Sequence, residues 1–172
     1  QLLKVIDPVF PPENFYFVNH ILYVNQIDVG LAYLDQDSLK LFHNGDFFQG
    51  KTIAGIIPLG GDQLWIATLN HGIFIYDGIN YQPLNSLNNP RFIEAGINQI
   101  LRMSNGNIAI GTQNNGLYIV NKEGDILQHL NKGKGLNNRT ILAIHEDVLG
   151  NLWLGHNNGI TNNSTQTRTI IT

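Results

Sequence analysis

The chain has 172 residues, 42% of them hydrophobic and only 13% charged, with a net charge of −3 and no cysteine. Such a length and apolar share support a buried core and exclude a disordered chain, and a chain without cysteine holds no disulfide or thiolate metal site. It has no basic run to neutralise phosphates, so no nucleic-acid partner is expected, and no apolar run long enough to span a bilayer.

In chain order, residues 2–6 form a strand-like run. An apolar run over 15–18 and a second, Tyr23-Val24-Asn25, precede Gly30, which opens a third run that turns at Asp35-Gln36-Asp37. The same succession returns with residues 53–57, the turn Gly60-Gly61-Asp62, the run Trp65-Ile66-Ala67, Gly72 and the turn Asp77-Gly78. It returns again with residues 97–101, Asn105-Gly106, Ala109-Ile110-Gly111, Gly116 and Glu123-Gly124-Asp125. The fourth copy comprises residues 141–144, Gly150-Asn151, Trp153-Leu154-Gly155 and Gly159, with apolar residues recovering only at Thr169-Ile170-Ile171.

The four glycines at 30, 72, 116 and 159 thus recur at intervals of 42, 44 and 43 residues, the mark of a repeat architecture. Asn-Gly and Asp-Gly tolerate the positive φ of tight hairpins, and each repeat glycine suits a left-handed or bulged strand start. A sustained helical period is absent, so no long helix is placed. Four short strands per unit of this length make a β-propeller blade. The expected fold is all-β, a β-propeller region of about four blades of four antiparallel strands, as one repeat region over 1–172 with copies at 7–50, 51–94, 95–138 and 139–172. The end runs are expected to be blade remnants, pairing with each other or left open and prone to self-association.

The sharpest stretch runs Gly135-Leu136-Asn137-Asn138-Arg139-Thr140, then Asp147-Val148-Leu149-Gly150-Asn151-Leu152-Trp153-Leu154-Gly155. It resembles the two-component regulator propeller repeat, in which a Gly-Leu-x-x-Asn opening leads to a strand, an Asp-x-x-Gly-Asn-Leu-Trp turn and an Ile-Gly-Thr strand end. Gln63-Leu64-Trp65-Ile66-Ala67-Thr68 and Asn107-Ile108-Ala109-Ile110-Gly111-Thr112 fit with single departures, Ala67 for Gly and Ala109 for Trp. His156 stands where the family has Thr, and residues 20–25 fit least. The resemblance implies the periplasmic sensor region of a membrane-anchored hybrid two-component regulator, many of which detect oligosaccharides. Such propellers usually hold more than four blades, so the resemblance also implies a fragment or partial array.

Trp65 and Trp153, each between apolar neighbours, are expected in the core. His145-Glu146-Asp147 cannot converge on one ligand, because adjacent strand residues face opposite sides; Asp147 is expected in a turn. The six histidines show no metal-ligand spacing, there is no nucleophile elbow, and no recurring carboxylate pair is present, so neither cofactor nor catalysis is expected. The loops before the repeat glycines and the segments leading into the first strands open on one face of a propeller. They carry Asn70, His71, Asn114, Asn115, Asn138, Arg139, His156 and Asn157, donors and acceptors suited to sugar hydroxyls or a uronic carboxylate. A ligand-sensing domain for an oligosaccharide or similar polar ligand is the leading reading; a non-catalytic scaffold binding protein partners or its own copies is the alternative.

Overall fold

The protein, described by a computed structural model over residues 10–136 and 138–163, is built of four antiparallel sheets. The strand-like runs at 2–6 and 169–171 lie outside these residues. The first sheet is β1 (Asn14–Val18), β2 (Ile21–Gln26), β3 (Gly30–Asp35) and β4 (Ser38–Leu41). The second is β5 (Ile53–Gly60), β6 (Gln63–Thr68), β7 (Gly72–Tyr76) and β8 (Tyr81–Pro83). A helix, α1 (Asn89–Ala95), precedes the third, which is β9 (Ile97–Arg102), β10 (Ile108–Thr112), β11 (Leu117–Val120) and β12 (Ile126–Leu130). The fourth has three strands among the described residues, β13 (Ala143–Glu146), β14 (Leu152–His156) and β15 (Gly159–Asn163). Every strand pairs with its neighbours in sequence, so each sheet is a meander joined by tight turns. These are propeller blades, and the fold is the expected one.

The chain divides into two compact units, Gln1–Pro83 and Leu84–Thr172. In the first, Tyr23, Leu31, Phe48, Ile53, Ile66 and Phe74 form the core between sheets one and two. In the second, Ala109, Leu117, Ile141, Leu152 and Leu154 do the same between sheets three and four. Fully burying a side chain of this size contributes about 1.5–3 kcal/mol. Hydrogen bonds fix the spacing of the layers: Tyr16 donates to the Ile53 carbonyl at 2.6 Å, and Asn98 to the Ile141 carbonyl at 3.0 Å.

All four repeat glycines adopt positive φ. Gly30 shows a second reason for the residue: a Cβ there would stand 2.1 Å from the Gly45 carbonyl oxygen.

One expectation fails. Trp65 is fully buried, and among the described residues its indole N–H has no hydrogen-bond partner. Trp153 is instead 41% exposed. Leu152 and Leu154 occupy the core-facing positions of β14, and strand alternation turns Trp153 to the other face. There its Nε1 donates to Asp147 Oδ2 at 2.9 Å. Asp147 is the turn residue expected, accepting from the backbone N–H groups of Leu149 and Asn151, both at 2.9 Å.

Candidate functional site

The loop between the second and third strands is built alike in the middle two sheets. Thr68, at the end of β6, donates to the Gly72 carbonyl at 2.8 Å and accepts from the His71 N–H at 3.1 Å. Thr112, at the end of β10, donates to the Gly116 carbonyl at 2.8 Å and accepts from the Asn115 N–H at 3.0 Å. Both threonines are fully buried, so each hydroxyl is spent on folding the loop over itself. Asn25 makes the corresponding, longer bond to the Gly30 carbonyl at 3.4 Å.

In the second unit this loop is clamped from two sides. Its Gln113 and Asn114 N–H groups donate to the Gly96 and Ala95 carbonyls at the end of α1, at 2.8 and 3.1 Å. From the other side Thr140 donates to the Gln113 carbonyl at 2.7 Å, and Gly116 N–H to the Arg139 carbonyl at 2.7 Å. Between the loop and α1 lies a cleft of about 240 Å³ lined by Arg91, Glu94, Ala95, Asn114 and Asn115. Arg91 and Glu94 are three residues apart on α1 and so share a face of the helix.

The floor of this cleft is braced. Asn115 Nδ2 donates to the hydroxyl of buried Tyr118, whose ring stacks on His129 with centroids 4.1 Å apart and planes at 9°. His129 Nε2 lies 2.8 Å from the Asn115 carbonyl. A carbonyl can only accept, so that nitrogen carries the proton. Burial raises the Tyr118 pKa; Arg91 and the Asn115 bond work against this and Glu94 with it. Asn115 is therefore held at both its side chain and its carbonyl.

Of the residues singled out in the sequence, Asn114 and Asn115 meet in this cleft. Asn138 donates to the Asn158 side chain at 3.0 Å, away from it, and Arg139 is exposed. His156 ends β14, half-buried, with Nδ1 3.1 Å from the Thr140 carbonyl and Nε2 2.9 Å from the Thr161 hydroxyl. Both ring nitrogens are occupied, so it is a structural brace rather than an exposed loop residue. Asn157 is exposed on the turn that follows. Asn70 and His71 lie exposed on the 69–71 loop of the first unit. Glu94, Tyr118 and His129 were not singled out. Among the described residues no group of three or more His, Asp or Glu could hold a metal ion.

No protein-family model matches the chain, and no curated protein matches it significantly. Solved structures do. The extracellular domain of a one-component system from B. thetaiotaomicron aligns with a TM-score of 0.68 at 18% identity, over 94% of this chain and 25% of that one. The extracellular domain of a hybrid two-component system from the same organism aligns with a TM-score of 0.60 at 20% identity, over 88% of this chain and 20% of that one. The WD40 β-propeller domain of Doa1 aligns with a TM-score of 0.62 at 12% identity, over 83% of this chain and 45% of that one. The fold is shared with β-propellers. The chain spans a fifth to a quarter of the length of the two extracellular domains.

Proposed function

We propose that this chain is a ligand-sensing part of an extracytoplasmic, membrane-anchored regulator of the two-component kind, and that the cleft beside α1 takes a sugar residue of an oligosaccharide. The observation that carries the reading is the convergence of Arg91, Glu94, Asn114 and Asn115 on one braced cleft. Guanidinium and amide N–H groups donate, and carboxylate and amide oxygens accept, which is the mixed pattern that vicinal hydroxyls require. The two opposite charges leave the cleft without net charge, favouring a neutral sugar over a uronic acid. At about 240 Å³ it is smaller than the roughly 300–1,000 Å³ of drug-sized sites. It suits one ring of a longer chain, with the rest held outside. The likeness to extracellular domains of regulatory systems supports the setting.

No bond is made or broken in this reading. The sugar biases the position of the propeller relative to what it is joined to, and the shift cannot exceed the difference in affinity for the two states, commonly about 1–3 kcal/mol. The experiment is calorimetric titration with neutral and acidic oligosaccharides. Arg91→Ala and Asn114→Ala should each weaken binding of the preferred glycan about ten-fold, the loss of one or two charge-assisted or neutral hydrogen bonds, with far-UV circular dichroism unchanged. If no glycan binds, or if both variants bind as the parent does, the sugar site is wrong and an interaction scaffold takes its place.

A further inference from the structure

The fourth sheet presents a face that its counterparts in the chain keep covered. The residue directly after the repeat glycine is Leu31 in sheet one and Leu117 in sheet three, each 0% exposed; in sheet four it is Ile160, 74% exposed. The position on the second strand, six or seven residues before that glycine, behaves alike: Tyr23 is 3% and Ala109 0% exposed, but Trp153 41%. Sheet two covers Leu31 and Tyr23, and sheet four covers Leu117 and Ala109. Ile160 is paired with Gly155, two residues from Trp153, so Ile160 and Trp153 share one face of sheet four, opposite to core residues Leu152 and Leu154. Among the described residues that face has no such cover.

Sheet one has the opposite deficit. Within each unit the covering sheet contributes an isoleucine of its first strand, Ile56 paired with Ile66 in sheet two and Ile144 paired with Leu154 in sheet four, 6% and 5% exposed. The same place in sheet one is Phe15, paired with Val24 and 59% exposed. Phe17, two residues on and so on the same face, is 71% exposed. This face is turned away from the core, which Tyr16 and Val18 meet from the other side of β1. Val24 is buried already, so the open part is the side of β1. One chain thus carries both halves of a sheet-on-sheet contact, each without its counterpart among the described residues. We propose that the Trp153 and Ile160 face of one copy docks on the Phe15 and Phe17 face of a second copy, repeating between chains the contact that each unit makes within itself. The two patches differ, so the association is head to tail rather than two-fold, and it takes four large apolar side chains out of water. It is independent of the sugar cleft, none of whose residues lies on either face.

The test is sedimentation of the intact chain at about 10–100 μM, where a contact of standard size, micromolar or tighter, is populated. The parent should associate into multiples of the chain mass. Ile160→Lys and Phe15→Lys should each weaken self-association about ten-fold or more, because the contact would bury an unpaired ammonium. Both positions are exposed, so far-UV circular dichroism should stay that of the parent. Mixed together, the two variants should form a one-to-one dimer and nothing larger, since each keeps the face that the other has lost. A parent that stays monomeric overturns the proposal, as does either variant associating alone like the parent, which is the mark of a face pairing with its own copy. Failure of the mixture to pair overturns it too. Should Phe15→Lys not fold, Phe17→Lys takes its place in the mixture and decides the matter.

Discussion

Asp147 gathers four hydrogen bonds that hold its carboxylate well below the usual range, to about 2: those from Trp153 and the Asn151 side chain first, then those from the Asn151 and Leu149 backbone. An unfolded aspartate titrates near 3.9. A depressed folded pKa contributes stability above the unfolded value that is lost as pH falls through the folded one. Asp147→Asn should therefore be less stable than the parent above about pH 4, and the gap should close toward pH 2. Urea midpoints across that range measure it, and fluorescence of exposed Trp153 should change over the same window as its indole loses its charged acceptor. A gap that does not narrow with acid would sink this account. The turn role of Asp147 was legible in the sequence, because Asp followed by Gly150-Asn151 has few other uses. The fate of Trp153 was not. Trp65 and Trp153 sit in nearly identical apolar settings, and a sequence window does not say which strand face a packed layer covers.

At the scale of elements, the in-phase glycines made the strands readable, and Gly30 gives that phase a measurable weight. Gly30→Ala would combine φ of +115° with a Cβ driven to 2.1 Å from backbone oxygen, and should cost about 3 kcal/mol or more. Gly106→Ala, at φ +86° with open space around it, should cost about 1–2 kcal/mol from the backbone alone. Equal losses in urea denaturation would mean that the close approach to Gly45 is not what Gly30 serves. Helix α1 escaped the sequence reading because seven residues are too few to show a period. Its punctuation was nevertheless present: Pro90 stands in the first turn and Gly96 ends the helix with φ +67°. Missing α1 meant missing Glu94, and with it one wall of the cleft. Tyr118 and His129 were illegible for another reason: they meet across the β11–β12 pairing, where Tyr118 is opposite His129, a register that local sequence does not print.

For the molecule as a whole, the scarcity of charge has a consequence for stability. The ion pairs Lys40–Asp35 and Lys122–Glu123 are exposed, and such pairs are worth about 0–1 kcal/mol each. Raising salt from low ionic strength to about 1 M, where the Debye length is about 3 Å, should shift the unfolding free energy by less than about 1 kcal/mol once specific-ion effects are matched with a second salt. Binding of a neutral glycan should be equally indifferent. A steep salt dependence of folding would point to a charge network that these pairs do not form.

The buried hydroxyls of Thr68 and Thr112 close their loops from beneath, using backbone groups as partners. What they bond to is the same whatever side chains the loop carries. The exposed positions between threonine and glycine, Asn70, His71 and Asn114, can thus be rewritten while the knot that ties them stays put, whereas Asn115 is tied by its own side chain. A library randomised at Asn70 and His71, or at Asn114, should return mostly folded proteins with altered preferences, and one randomised at Thr112 mostly unfolded ones. The loop separates the grammar of the fold from its vocabulary, so new recognition can be tried here without first solving folding again.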